Sequence, residues 1–159
     1  MHDPQLPGEP QLSSMLEIIA FHLGDQQFCI KTTAIREIRG WAAATPLPHS
    51  PPHVLGMINL RGSVIPVIDL AARLGVHSAT DTSRSAIVVA EVGTNIVGLV
   101  VDRVSDILSI SSKLIQPVPD LGTAFDPNFS RGIIPLEQGM VCFLNLDHFF
   151  ANLDIANAA

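Results

Sequence analysis

The chain has 159 residues, of which 47% are hydrophobic and 15% charged, and its formal net charge is −6 at pH 7. This length and composition predict one domain, or two small and closely packed ones, with ample apolar material for a core. The acidic balance argues against nucleic acid as the main partner. No apolar run approaches the roughly 20 residues of a membrane span, so we expect no direct membrane insertion and, without a signal peptide, a cytoplasmic location.

The N-terminal part predicts a tail followed by a first hairpin. Residues 1–14 carry three prolines and little to bury, which is typical of a disordered segment. Met15–Leu23 is predicted as the first strand, Gly24–Gln27 as its turn and Phe28–Ile30 as the start of the second strand. One or two helical turns are predicted over Thr33–Ile38, because two isoleucines lie three residues apart.

A hairpin with a charged turn follows. Two runs of strand-type residues, Met57–Leu60 and Val64–Leu70, flank the turn Arg61-Gly62-Ser63, and apolar runs around a glycine-containing turn are typical of a hairpin. A charge is costly to bury without a partner. We therefore expect Arg61 to stand at the surface on a rigid support. A short helix is predicted over Leu70–Leu74.

The strand pattern restarts after a polar linker. Strands are predicted over Ala86–Ala90 and Ile96–Val101, with a turn at Gly93–Asn95. Asp102 is expected to face solvent or an adjacent arginine. Val104–Ile110 is predicted to continue as extended or briefly helical chain.

The C-terminal part predicts a long loop, another hairpin and a helix. Gln116–Asn128 contains three prolines and is long enough to indicate a role of its own or mobility. Ile133–Leu136 and Met140–Leu146 flank a turn at Glu137-Gln138-Gly139. Asp147–Leu153 is predicted as an amphipathic helix with its first residue as the N-cap.

The two halves of the chain show self-similarity. With Gly24 placed over Gly93, a constant offset of 69 residues aligns the first turns, the strands after them, and Glu37-Ile38 with Asp106-Ile107. A curled five-stranded sheet that closes on itself removes its exposed edges. We therefore predict a mainly β fold with short helices, in which two pseudo-repeated five-stranded β-barrels pack together with a groove between them.

The predicted domain covers residues 15–155 and contains two intertwined barrel subdomains. The first is expected over residues 20–70 and the second over residues 85–146, and the terminal segments are left free to cross over between them.

No catalytic, metal or cofactor site is predicted. The motifs HExxH, GxGxxG and GxSxG and the P-loop are absent from the sequence. His49 and His53 are four residues apart, but Pro51-Pro52 between them excludes the helix that would place both on one face. Cys29 and Cys142 lie in apolar runs and are expected to be buried, reduced and inert. We therefore predict that the protein is not an enzyme.

Four segments together resemble the CheW family of bacterial chemotaxis coupling proteins. They are Phe21-His22-Leu23-Gly24, Ile35-Arg36-Glu37-Ile38, Gly56 to Leu70 with its pattern NLRGxxxPxxDL, and Val100-Val101-Asp102-Arg103-Val104. The order of the four segments makes the resemblance more specific than any one of them. It runs from Leu16 to Leu153.

The resemblance implies a non-catalytic scaffold of two five-stranded SH3-like barrels without a cofactor. Members of the family bind the regulatory domain of the histidine kinase CheA and the cytoplasmic tip of methyl-accepting chemoreceptors, which recruits them to membrane-associated arrays. The partner-binding residues that the motifs imply are Ile35, Glu37, Ile38, Gly56, Asn59, Arg61, Gly98 and Gly132. Family members often have an arginine soon after the Asp-Leu step, whereas here two alanines precede Arg73, so no role is carried over to it.

These residues suit contact with a helical receptor tip, because a groove lined with apolar residues accepts a helix face. One of Ile35 and Ile38 is expected to contact the partner and the other to lie in the core. Arg61 would pair with a receptor carboxylate or cap helix carbonyls, and Gly56 would permit close backbone approach.

Two other functions remain open at this point. One is coupling in a pilus-type or other non-flagellar chemosensory system. The other is a general protein-binding β-barrel module for proline-rich ligands, which should have an aromatic-lined groove. The chain has one Trp and no Tyr, which disfavours the second.

Overall fold

The computed structural model describes residues 14–76, 85–118, 127–137 and 139–151. Its strands are β1 (Met15–Leu23), β2 (Gln26–Lys31), β3 (Ile35–Gly40), β4 (Val54–Leu60), β5 (Ser63–Asp69), β6 (Ala86–Val92), β7 (Asn95–Val101), β8 (Arg103–Ser111), β9 (Ser130–Leu136) and β10 (Gly139–Leu144). The α-helices are α1 (Leu70–Leu74) and α2 (Leu146–Ala151), and 3-10 turns lie at Thr32–Ala34, Ser112–Leu114 and Pro127–Phe129. Neither of these α-helices has the length and hydropathy that crossing a membrane requires. The predicted disordered tail, apart from Ser14, lies outside the described residues.

The described strands form two five-stranded sheets that share one strand order. Sheet A has the order β8-β1-β2-β10-β9, and sheet B has the order β3-β6-β7-β5-β4. Neighbouring strands are antiparallel except β2 with β10 and β5 with β7, which are parallel. The predicted mainly β fold with two five-stranded units is confirmed. The outer strands of each sheet are not joined by a ladder of hydrogen bonds. The chain beyond β3 bridges β4 at Thr45 and Met57, and the chain beyond β8 bridges β9 at Gln116 and Ile133, so each SH3-like unit is only partly closed on that side.

Each sheet combines strands from both halves of the chain. β1 and β2 lie in sheet A with β8, β9 and β10, whereas β6 and β7 lie in sheet B with β3, β4 and β5. The sheets therefore differ from the contiguous ranges 20–70 and 85–146, because each half exchanges its first hairpin with the other. After β2 the chain passes through the turn Thr32–Ala34 into the other sheet, where Ile35 pairs with Ala90.

Alternating side chains of the exchanged hairpins fill separate apolar cores. Ile18, Ala20 and Cys29 belong to the core of sheet A, whereas the intervening Ile19 and Phe21 belong to a central core that both sheets share. β6 shows the same alternation between the central core and the core of sheet B. Full burial of a large apolar side chain stabilises the fold by about 1.5–3 kcal/mol. The central core thus joins the two sheets into one body.

The helical turns predicted over Thr33–Ile38 are confirmed only as a single 3-10 turn and are wrong beyond Ala34. The 3-10 turn ends at Ala34, and the next residues form β3, which pairs with β6. β-branched residues fit a pleated, half-buried surface, and a bulge in the register between Ile35 and Glu37 accommodates the spacing that resembled a helix.

The predicted N-cap of α2 is also wrong. The side-chain oxygen of Asn145 accepts a hydrogen bond of 3.2 Å from the backbone N–H of His148, which is the geometry of an N-cap. Asp147 is instead the first acidic residue within the helix, and it forms an ion pair with Arg131 at 2.6 Å.

Asp102 connects the two exchanged hairpins. Its carboxylate accepts a hydrogen bond from the backbone N–H of Gly24, and its backbone N–H donates to the carbonyl oxygen of His22 at 3.0 Å. The prediction that Asp102 faces solvent or an arginine did not include the hydrogen bond from Gly24. This bond satisfies a backbone N–H donor at a tight turn. The adjacent Arg103 contacts the ring Nε2 of His22 at 3.3 Å.

Candidate partner-binding site

Arg61 occupies the tip of a two-residue hairpin turn. Leu60 pairs with Ser63 at the end of the β4–β5 ladder, so Arg61 and Gly62 alone form the turn. Both have positive φ, 51° and 89°, as in the type I′ turns that suit the twist of a hairpin. Asn59 supports the turn, because its side-chain oxygen accepts a hydrogen bond of 2.9 Å from the N–H of Gly62. The predicted surface hairpin is confirmed, with Ser63 as the first residue of β5.

An arginine at this position is conformationally unfavourable. A non-glycine residue in the left-handed region costs about 1–2 kcal/mol, and type I′ turns prefer Asn, Asp and Gly. The corresponding turn of the second half begins with Glu137 and contains no arginine. Neither the turn nor the repeat therefore requires Arg61, and a strained residue without a structural reason is a candidate functional residue.

Arg61 forms an ion pair with Glu37 across the partly closed side of sheet B. Its Nη2 lies 2.8 Å from Glu37 Oε2, and the Arg61 side chain is 80% exposed while that of Glu37 is 21% exposed. Glu37 lies in β3, and Arg61 follows β4, and these are the outer strands of the sheet. An exposed ion pair contributes only about 0.2–1 kcal/mol. The contact holds the guanidinium group beside β3.

A groove lies beside this ion pair, and we call it the Arg61 groove. It is lined by Arg36, Glu37, Leu60, Arg61, Ser63, Ile65 and Ile96. Arg36 forms a second ion pair, with its Nη1 at 3.0 Å from Oε2 of Glu91. The groove therefore combines apolar side chains with charges of both signs, and charges so placed can give a partner contact electrostatic specificity.

The two isoleucines of β3 have different environments. Ile35 is half-buried and packs against the central core, whereas Ile38 is 41% exposed. Ile35 is therefore the core residue of the two, and Ile38 is accessible to a partner. Val64, at the start of β5, adds a second exposed apolar side chain to sheet B.

Gly56 and Gly132 are buried, and each admits a backbone segment that a side chain would exclude. Gly56 has φ of +148°, and the carbonyl oxygen of Thr45 occupies the place of its missing Cβ. Gly132 has φ of +145°, and its Cβ would lie 2.6 Å from the carbonyl oxygen of Gln116. Each segment exchanges two backbone hydrogen bonds with the residue that follows its glycine. These glycines shape their sheets from within and have no surface to offer a partner.

Gly98 is a third buried residue of the predicted set. It lies in β7, where a Cβ would come within 3.0 Å of the Ile87 side chain. Among the eight expected residues, the structure brings Glu37 and Arg61 into direct contact, and Asn59 of β4 accepts the hydrogen bond that supports the turn. Gly132 lies in sheet A, whereas the other seven lie in or beside strands of sheet B.

The sequence did not predict Arg36 and Glu91 as part of this site. Their opposite charges on β3 and β6 are the signal that would have found them, but only once the pairing of those two strands is known.

The described residues hold no group of three His, Cys, Asp or Glu side chains placed to bind a metal ion. Burial, with a smaller contribution from Cys142, raises the pKa of Cys29 to about 12. Burial also raises the pKa of Cys142, although its hydrogen bond with Ser130 acts in the opposite direction. Thiols with raised pKa are neutral and poorly nucleophilic at pH 7, which agrees with the inert cysteines expected from the sequence.

Comparison with known proteins identifies the family. The chain matches the family model of the CheW-like domain over residues 17–154. The chemotaxis protein CheW of Rhizobium meliloti is 52% identical over 134 residues, which cover 84% of this chain and 86% of that protein. The probable chemotaxis protein CheW of Rhizobium etli is 49% identical over 138 residues, which cover 87% of this chain and 89% of that protein.

A solved structure has the same fold. It is the scaffolding protein TtCheW from Thermoanaerobacter tengcongensis, with a TM-score of 0.75 and 30% sequence identity, and the match covers 82% of this chain and 88% of that chain. The resemblance found in the four sequence segments is therefore confirmed: the chain belongs to the CheW family of chemotaxis proteins.

Proposed function

We propose that this protein is a non-catalytic scaffold that couples methyl-accepting chemoreceptors to the histidine kinase CheA. Membership of a family whose relatives are named chemotaxis proteins, and whose solved neighbour is named a scaffolding protein, supports this role. The two partners, and a cytoplasmic protein recruited by them to membrane-associated arrays, are part of the proposal.

The observation that carries the proposal is the position of Arg61. Its backbone is in the left-handed region, its side chain is 80% exposed, and its ion pair with Glu37 adds little stability. An arginine held there is suited to meet a carboxylate or the carbonyl end of a partner helix, because it can donate several hydrogen bonds in a fixed geometry. We assign the Arg61 groove to the receptor.

A coupling protein also needs a surface that the receptor leaves free. Sheet A exposes apolar side chains at places that correspond to those of sheet B. Ile107, which the offset of 69 places over Ile38, is 62% exposed, and Met140, the second residue of β10 as Val64 is of β5, is 74% exposed. Exposed apolar groups of this kind are typical of protein contacts. The two sheets thus offer separate faces, one for each partner.

The test is whether the purified chain bridges its two partners. A receptor tip fragment and the CheA regulatory domain are mixed with and without the chain, and complexes are separated by analytical ultracentrifugation. We expect each partner to bind alone and both to be present in one complex only when the chain is added. Failure to bind either partner, or displacement of one partner by the other, would contradict the proposal.

A further inference from the structure

A β-bulge places two consecutive side chains of β3 in the Arg61 groove. Ile35 and Glu37 pair with consecutive residues of β6, so Arg36 between them has no residue opposite. Successive side chains of a regular strand point to opposite faces of the sheet, whereas a bulge re-aims a side chain. Arg36 and Glu37 therefore line the same groove, and Arg36 reaches Glu91 of β6 with its Nη1.

The other half of the chain repeats this bulge with different chemistry. The offset of 69 residues places Ser105 over Arg36 and Glu91 over His22, and the register of β8 with β1 shifts at the same place. Ser105 Oγ lies 2.9 Å from Nδ1 of His22. The contact across the bulge is kept, but a hydroxyl and an imidazole make it where sheet B has an ion pair. The fold therefore does not require an arginine on the bulge.

The second arginine of the groove is not repeated in sheet A either. Leu136 pairs with Gly139, so the turn position that Arg61 occupies in sheet B belongs to Glu137, which is exposed. At the two positions where sheet B has exposed arginines, sheet A has a serine and a carboxylate. The two arginines are therefore a feature of the sheet B face and not of the repeated architecture.

The ion pairs of the groove leave both arginines accessible. The Arg36 side chain is 53% exposed and that of Glu91 is 40% exposed, and Arg61 is likewise more exposed than Glu37. An ion pair between exposed side chains contributes little to stability, and a guanidinium group can donate five hydrogen bonds. Each arginine therefore has donors to offer a partner without a large loss of stability.

The groove is large enough for more than one contact. Its volume is about 260 Å³, whereas a cavity of about 150 Å³ holds a benzene-sized molecule. Its charged lining residues are Arg36, Glu37 and Arg61, and Glu91 lies at its edge through the ion pair with Arg36. Because the arginines are the more exposed members of both pairs, charge complementarity favours an occupant with carboxylates.

We propose that Arg36 is a second recognition residue of the Arg61 groove, and that the partner segment bound there presents two carboxylates on one face. Arg61 binds one carboxylate and Arg36 binds the other. Glu91 occupies Arg36 in the unbound chain and therefore competes with the second carboxylate. The inference rests on the proposed function for the identity of the partner, the receptor tip, whereas the requirement for two carboxylates can be tested without it.

Removing each member of the Arg36–Glu91 pair should change receptor affinity in opposite directions. Arg36→Gln removes a recognition cation and should weaken binding of the receptor tip fragment about fivefold, as expected for one exposed charge contact. Glu91→Gln removes the competitor and should tighten binding about twofold. A pair that only stabilised β3 would change affinity in the same direction in both variants, because either change breaks it. Unchanged affinity in Arg36→Gln, or no gain of affinity in Glu91→Gln, would overturn the inference.

A matched control and the dependence on salt separate charge recognition from general damage. Arg131→Gln breaks an exposed ion pair of sheet A, with Asp147, and should leave receptor binding unchanged. Exposed charge contacts weaken as the salt concentration rises, so the affinity of the unaltered chain should fall from about 0.05 M to about 0.5 M salt. The affinity of Arg36→Gln should fall less steeply. Parallel salt dependence of the two chains would overturn a charge contact at Arg36.

A helical peptide tests the two carboxylates without a receptor. Residues one turn apart lie on the same face of a helix, so an alanine-rich peptide with two glutamates at that spacing is titrated into the full chain. The side-chain N–H resonances of Arg36 and Arg61 are followed by NMR. We expect saturable shifts at both arginines, and weaker binding when either glutamate is replaced by glutamine. Arg36→Gln should bind the peptides with one and with two glutamates equally.

The two experiments distinguish this inference from the proposed function. Weakening of receptor binding by Arg61→Ala but not by Arg36→Gln would overturn the inference and leave the proposed function intact. If the unaltered chain binds no receptor fragment, the proposed partner is wrong, and the peptide titration alone decides. In that titration, no saturable shift at Arg36, or equal binding of the peptides with one and with two glutamates by the unaltered chain, would overturn the inference.

Discussion

Arg61 and Glu37 connect the two outer strands of sheet B through one ion pair of 2.8 Å, at a place where no backbone ladder joins these strands. The pair therefore holds the β4–β5 turn against β3 on the partly closed side of the sheet. Because 80% of the Arg61 side chain is exposed, its guanidinium group can keep one contact with Glu37 and present its other donors to a partner.

Exchanging these two charges tests whether receptor binding requires the ion pair between Arg61 and Glu37 or the direct contact of Arg61 with the receptor. The double variant Glu37→Arg, Arg61→Glu keeps an ion pair between the strands but presents a carboxylate at the turn. Its free energy of unfolding in urea should stay within about 1 kcal/mol of the original, whereas receptor binding should be lost. Recovery of full binding in the double variant, but not in either single variant, would show that the ion pair alone is required.

Gly56 and Gly132 should be far less tolerant of alanine than an exposed glycine. A Cβ at Gly56 meets the carbonyl oxygen of Thr45, and both glycines have φ values that alanine rarely adopts. We expect Gly56→Ala and Gly132→Ala to lower the free energy of unfolding by about 2–4 kcal/mol. The matched control is Gly40→Ala, which has no atom within 4 Å of its Cβ position and should change stability by less than about 0.5 kcal/mol. Equal urea midpoints for all three variants would contradict this packing.

His22 should make the protein less stable as the pH falls below 7. Burial, and next the charge of Arg103, lowers the pKa of His22 in the folded chain, although Asp102 acts in the opposite direction. The unfolded chain therefore binds more protons than the folded one near pH 6.5, and stability is lost as the pH falls through the unfolded pKa towards the lower folded value. His22→Gln should flatten the pH dependence of urea unfolding between pH 7 and pH 5. An unchanged profile would contradict the shift.

The two cysteines should differ in reactivity. Cys29 is fully buried, with its pKa raised to about 12, whereas Cys142 is half-buried and its thiol donates a hydrogen bond to the Ser130 hydroxyl. Alkylation at pH 8, followed by mass spectrometry, should label neither quickly in the folded chain, and Cys142 should react first. Both should react rapidly in denaturant. Prior labelling of Cys29 would contradict its place in the core of sheet A.

Local elements were predictable because local signals define them. The bounds of β1 and α1, Met15–Leu23 and Leu70–Leu74, are those predicted from apolar runs, a following glycine turn and a helix-ending glycine. β3 was mistaken for a helix because its isoleucine spacing fits a helical period as well as a bulged strand. Pairing with β6 makes this segment a strand, and the local sequence does not show that pairing.

The sequence predicted intertwined subdomains, but which hairpins exchange between them could not be predicted for the same reason. The parallel pairing of β2 with β10 joins distant parts of the chain and depends on the common core that they bury. At the candidate site, the exposure of Arg61 followed from the cost of burying a charge. The contact between Arg61 and Glu37 could not be predicted in this way, because the contact depends on β3 and β4 being the outer strands of one sheet.

The most direct test of the central claim is the affinity of the Arg61→Ala variant for a receptor tip fragment, measured by isothermal titration calorimetry beside the matched control Lys113→Ala. Loss of a charged donor at a protein contact costs about 2 kcal/mol or more. We therefore expect Arg61→Ala to bind at least about 30-fold more weakly, with an unchanged thermal unfolding curve, and the control to bind normally. Equal affinity of Arg61→Ala and the original chain would contradict the assignment of Arg61 as a partner contact.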